Sequence, residues 1–193
     1  MDVDELRHRE VDGQPLELLF FFEPRPLRNG KIGTSCLSQW WAAPFEVGGE
    51  RYATAEHYVM VGKARLFGDE AIATHILQST APEEAIELGR EVRGFEQSAW
   101  LAARYGIVVA ANRVKFTNRP ELGVYLTQRT GQKILVHASP TDQLWGIGLA
   151  ANDIRARKPT EWQGKNLLGF ALMEVRDELR ANDELQRRAE GRS

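Results

Sequence analysis

A carboxylate and an amine seven residues apart, Glu56 and Lys63, are the pair in this sequence best placed to do chemistry. They lie in the stretch 52–67, which is rich in helix formers, free of proline and opened by Thr54, a residue able to cap a helix start. Seven residues are about two helical turns, so both side chains point the same way with a rise of roughly 10 Å between them. Tyr52, Val59, Met60 and Phe67 fall on the same side. Charges on an apolar stripe are costly to bury unless they are paired or solvated. Two readings follow. In one, the two residues form a structural ion pair, or their stems reach the surface. In the other, both line a pocket and work there.

Three further clusters carry side chains suited to ligand binding. The first is Ser38-Gln39-Trp40-Trp41, where adjacent tryptophans in an extended segment face opposite sides. The second is Trp100, which reads either as core or as a platform for a flat ligand. The third runs from Ser139 through Pro140, Asp142 and Trp145 to Gly146 and Gly148. Proline and two glycines shape that loop sharply. Asp142 is then an acid, a base or an acceptor for a hydroxyl, or else a turn cap with Trp145 in the core. Gly164-Lys165-Asn166 can present a helix N-terminus to an anion, or let two segments pack closely. His8, His57, His75 and His137 show no ligand spacing, so no metal site is expected. There is no Walker loop or dinucleotide fingerprint, and Cys36 reads as a small packing residue.

These residues need elements to hold them. Residues 16–22 read as a buried strand stopped by prolines, and 133–138 as another. Residues 44–47 and 50–53 flank Gly48-Gly49 as a hairpin leading into the 52–67 helix. Helices are expected over 69–77, over 81–92 behind a capping box at Thr80, over 99–116 capped by Ser98, over 118–129, and over 166–180. In the 99–116 helix, Trp100, Ile107, Ala111 and Val114 approximate a buried stripe. Residues 1–14 read as a mobile polar leader, 15–180 as one domain, and 181–193 as a charged tail that frays. Several helices and a few strands without regular alternation point to a single α+β domain.

Composition narrows the partners. With a net charge of −2, the chain lacks the basic balance of a protein that grips long nucleic acid. A local patch from Arg25, Arg28, Lys31, Arg51 and Lys115 stays open. One cysteine gives no disulfide framework, and a reducing, cytoplasmic setting is expected. No apolar run is long enough to span a bilayer, and no export signal is visible.

Taken in order, the motifs resemble the NADAR (YbiA-like) family. They are Ser38-Gln39-Trp40-Trp41 with Pro44-Phe45, the stretch from Tyr52 through Glu56, Tyr58 and Met60 to Lys63-Ala64, Leu88-Gly89-Arg90, Trp100, Lys115-Phe116, Ser139-Pro140 with Asp142 and Trp145 to Gly148, and Gly164 with Asn166 to Gly169. The likeness runs from about Phe20 to Leu179. It implies an α+β N-glycosidase that needs no cofactor. The substrates it implies are ADP-ribosylated guanine, in nucleic acid or free, or early phosphoribosylated riboflavin-pathway intermediates. It also implies a catalytic set of Glu56, Lys63 and Asp142, with Trp41, Trp100, Trp145, Gly146 and Asn166 contacting substrate. Met60 stands where many members carry glutamine, which marks a branch whose substrate choice can differ. A different class, a non-catalytic pocket for ADP-ribose or a related nucleotide, is the competing expectation.

Overall fold

A computed structural model describes residues 1–190. In chain order its elements are α1 (Val3–Val11), β1 (Leu18–Phe21), β2 (Phe45–Val47), β3 (Glu50–Tyr52), α2 (Ala55–Leu66), α3 (Glu70–Gln78), α4 (Pro82–Arg90), α5 (Gln97–Asn118), α6 (Pro120–Val124), β4 (Ile134–His137) and α7 (Leu167–Glu190). This is the α+β class the sequence indicated. The chain divides into two compact units. One is Ser38–Leu122; the other joins Met1–Leu37 to the chain from Gly123 onward.

In the Ser38–Leu122 unit, β2 and β3 pair antiparallel as expected, with Phe45 opposite Tyr52. Gly48 and Gly49 close the hairpin at φ 60° and 82°, a left-handed pair that glycine adopts without strain. The hairpin delivers the chain to α2, where the Thr54 hydroxyl accepts the His57 N–H. Helix α2 packs against α3, α4 and α5. Its buried residues are therefore Ala55, His57, Val59, Val61 and Ala64 rather than a narrow stripe. Met60 and Phe67 are only half-buried, and so are Glu56 and Lys63. Phe45, Tyr52, Val61, Ala64, Ala73, Ile76, Ala85 and Val92 form the core.

Two caps differ from expectation. Helix α4 starts on Ala81 with no side-chain cap and Pro82 in its first turn, so Thr80 caps nothing. Helix α5 is capped by Glu96, whose carboxylate accepts the N–H groups of Ser98 and Ala99. A carboxylate there also meets the positive end of the helix dipole, which favours it over the serine. The buried face of α5 is Val108, Val109, Ala111, Asn112, Lys115 and Phe116, with Trp100 and Ile107 half-buried. Hydropathy misplaced this face because two of its members are polar.

In the other unit, β1 and β4 pair in parallel, Leu18 with Ile134 through Phe21 with His137. Helix α7 packs on β4 and buries Leu168, Leu172 and Val175 there, with Leu179 half-buried. It continues to Glu190 instead of ending at Arg180, because residues 181–190 are good helix formers. The last three residues of the expected tail lie outside the described residues.

The expected leader is ordered. Asp2 caps α1, and Leu6 is fully buried, a burial that contributes about 1.5–3 kcal/mol. Arg7 donates to the carbonyls of Pro159 and Trp162 at 3.2 and 3.3 Å. The helix expected over 118–129 is α6 followed by a π-type turn, Tyr125–Arg129. The Thr127 and Thr130 hydroxyls donate to the Gly123 and Leu126 carbonyls, which loosens the helical ladder there.

Candidate active site

Glu56 and Lys63 stand on α2 about 20° apart around its axis. The Lys63 amine donates to the Gly89 carbonyl at 2.6 Å. It lies 4.8 Å from the centre of the Phe95 ring and 5.7 Å from that of Trp100. Burial, and after it the charge of Arg90, pushes the Lys63 amine below its ordinary range. A half-buried amine that gives up its proton easily is a usable nucleophile. The structure thus brings together two of the expected residues, Lys63 and Trp100, and adds Phe95 and Gly89, which sequence spacing did not single out as ligand contacts.

The Glu56 backbone N–H donates to the Gln39 carbonyl at 3.2 Å. The segment that holds it is itself held from α5. The Lys115 ammonium, with no solvent exposure, donates to the Ser38 carbonyl at 2.7 Å, and the Asn112 amide donates to Gln39 Oε1 at 3.1 Å. Lys115 therefore cannot serve a surface basic patch, a correction to the sequence reading. Its length lets it cross the core to reach a carbonyl 77 positions away in sequence, which no local pattern discloses. Trp41 and Trp40 are both half-buried. Their backbone N–H groups bond to Ser38, so the segment turns instead of extending, and the expected alternation of faces does not apply.

Asp142, Trp145, Gly146 and Asn166 belong to the unit that contains β1, β4 and α7, and there they form one cluster. Asp142 Oδ1 accepts the N–H groups of Leu144 and Trp145, both at 2.8 Å. This is the turn-capping role, and it leaves Oδ2 for other use. The carbonyls of Gln143, Gly146, Leu144 and Trp145 accept the N–H groups of Lys165, Asn166, Leu167 and Leu168 in turn. The start of α7 is thereby satisfied by the bend, so it offers no anion site. Gly164 is needed because a side chain there would strike the Gly146 carbonyl.

Asn166, expected to touch substrate, is fully buried at φ 52°. Its amide donates to the Leu135 carbonyl and accepts the His137 N–H, both at 2.9 Å. It is a structural clamp between β4 and α7, and asparagine tolerates this left-handed backbone better than most residues. His137 stacks on Phe21 at 5.2 Å. Burial pushes its imidazole below the ordinary value, against the opposing charge of Asp142. Among the described residues no cluster of three or more His, Cys, Asp or Glu side chains is arranged to hold a metal, and no helix is long and apolar enough to cross a membrane.

The chain belongs to the NADAR family, whose domain model matches residues 20–180. Among individual relatives, it is 40% identical over 153 residues to N-glycosidase R617 of Acanthamoeba polyphaga mimivirus, covering 77% of this chain and 89% of that protein. It is 30% identical over 142 residues to N-glycosidase YbiA of Escherichia coli (strain K12), covering 74% and 79%. The NMR structure of the E. coli protein YbiA superposes with a TM-score of 0.67 at 27% identity, over 88% of each chain.

Proposed function

We propose that this chain hydrolyses the bond between ribose C1 and a base or amine nitrogen, with Lys63 as nucleophile and Glu56 as the proton-transferring carboxylate. The class of reaction follows from the family: the chain is an enzyme, a hydrolase of N-glycosyl bonds. The observation that supports the finer reading is the Lys63 amine, lodged against the Gly89 carbonyl and two aromatic rings, its pKa lowered by burial.

Glu56 gives a proton to the ring oxygen as the ring opens. The neutral Lys63 amine adds its electron pair to C1. The base nitrogen leaves with the C1–N pair and takes a proton that Glu56 relays from the Lys63 nitrogen. A Lys63 iminium remains. Water adds its oxygen to C1, the amine departs protonated, and the free sugar recloses. Cleavage of this kind develops positive charge on the sugar, which a nearby carboxylate stabilises.

Within their own unit, Asp142, through Oδ2, and Trp145 are proposed as ligand contacts, the roles the family likeness implies for them. The burial of Lys115 removes one member of the basic patch, and the Glu23 carboxylate 2.7 Å from Arg25 offsets the charge of another. That favours a small phosphorylated N-riboside over a modified base in nucleic acid.

Hydrolysis of ADP-ribosylated guanosine and of a phosphoribosylaminopyrimidine, assayed side by side, tests the substrate. Borohydride trapping tests the mechanism: a sugar-sized adduct on Lys63 is expected by mass spectrometry. Glu56→Gln and Lys63→Ala are each expected to lower kcat by at least about 100-fold. Lys63→Ala with full turnover and no adduct in the wild type ends the covalent reading. Binding of ADP-ribose without turnover, unchanged in Glu56→Gln, would instead favour a binding module.

A further inference from the structure

The ring that comes nearest the Lys63 amine belongs not to a tryptophan but to Phe95. Phe95 lies in the connection between α4 and α5 and is 47% exposed. It is nonetheless held: the Phe67 ring at the end of α2 meets it at 5.2 Å, tilted by 56°. One side of the ring is thus braced while the amine sits 4.8 Å from its centre.

We infer that Phe95 is a further substrate-contacting residue, an aromatic wall that stabilises the cation formed at Lys63 during the reaction. The inference rests on the proposed role of Lys63. A carbon bonded to Nζ lies about 1.5 Å from it. C1 is then within about 6.3 Å of the ring centre, close enough for its substituents to reach the Phe95 ring. The nitrogen is a cation before attack, neutral as it attacks, and a cation again once the C1–N bond to the base has broken and the iminium has formed. An aromatic face attracts each of the charged forms. The Trp100 ring, on the same amine, shares the task. No additional reactant enters: the electron pair moves as in the scheme above, and Phe95 supplies only its π face.

Fluorinated phenylalanines at position 95, with one, two and three ring fluorines, keep the shape and drain the face of its negative charge. With the two N-ribosides named above as substrates, at a pH above the Lys63 titration, where the resting amine is neutral and only the forming iminium feels the ring, kcat/KM and the yield of borohydride adduct are expected to fall stepwise along the series. The total fall is expected to be about three- to thirtyfold, and Phe95→Leu, which has no π face, should fall at least as far as the trifluorinated protein. Melting temperatures of the fluorinated proteins should stay at the wild-type value, because the Phe67 contact is kept. A flat series, with Phe95→Leu also at wild-type kcat/KM, overturns the inference while an inactive Lys63→Ala leaves the proposed function standing. Full turnover by Lys63→Ala, or a wild type inert on both substrates, removes the proposed function and this inference with it.

Discussion

At the scale of single residues, charge placement sets two expectations. The Lys63 amine is depressed first by burial and then by Arg90. Only the neutral amine attacks, so kcat/KM should rise with pH through the Lys63 titration, below the ordinary lysine range. Removing the Arg90 charge takes away one force that lowers this pKa. The acid limb of the pH–rate profile of Arg90→Gln should therefore move to higher pH, with less activity near neutrality. A limb that stays in place, or moves down, contradicts the assignment. Asn166 gives the second expectation. Asn166→Ala leaves the Leu135 carbonyl and the His137 N–H without their partner and puts a strained residue at φ 52°. The cost is about 2–4 kcal/mol, read from chemical denaturation. Asn166→Gly relieves the strain alone and should cost less.

At the scale of elements, the hairpin and α2 are tied by one ionic cluster. Arg65 donates through Nη1 to Glu50 Oε2 at 2.8 Å, and the Tyr52 hydroxyl donates to the same oxygen at 2.8 Å. The Arg65 guanidinium first, then the Tyr52 hydroxyl, holds the Glu50 carboxyl down at about 2, from an ordinary 4.5. A folded pKa below the unfolded one adds stability above the unfolded value and loses it as acid is added. Wild type should therefore melt higher than Glu50→Gln above pH 4.5, with the gap closing as pH falls toward about 2. A gap that does not change with pH refutes the link.

The same elements show what a sequence discloses. Thr54, the Gly48-Gly49 turn and the strands around residues 18–21 and 134–137 were legible because their signals are local. That Glu56 and Lys63 share one helix was legible because helix spacing is local too. Lys115, Asn166 and Leu6 were not, because what they touch comes from distant segments. Phe95 is not legible either, because nothing in its sequence neighbours tells that Lys63 ends beside it.

At the scale of the whole molecule, the Ser38–Leu122 unit is one continuous segment, whereas the other is assembled from both sides of it. The NADAR match spans both. Helices α2 to α5 follow one another closely in sequence, while β1 must find a partner that begins at Ile134. Contacts that close long loops form late because the chain entropy is lost before they can compensate. Pulse-labelled hydrogen exchange during refolding should protect the amides of α2 to α5 before those of β1 and β4. The reverse order contradicts this.

The bend at Gln143–Gly146 carries a consequence for how the protein can diversify. Its backbone oxygens serve as the missing first turn of α7, so lengthening or shortening the bend would uncap a helix of 24 residues. Insertions there should be purged, and new ligand preferences should arise by exchanging the side chain at Trp145, whose indole is half-buried while its carbonyl stays committed.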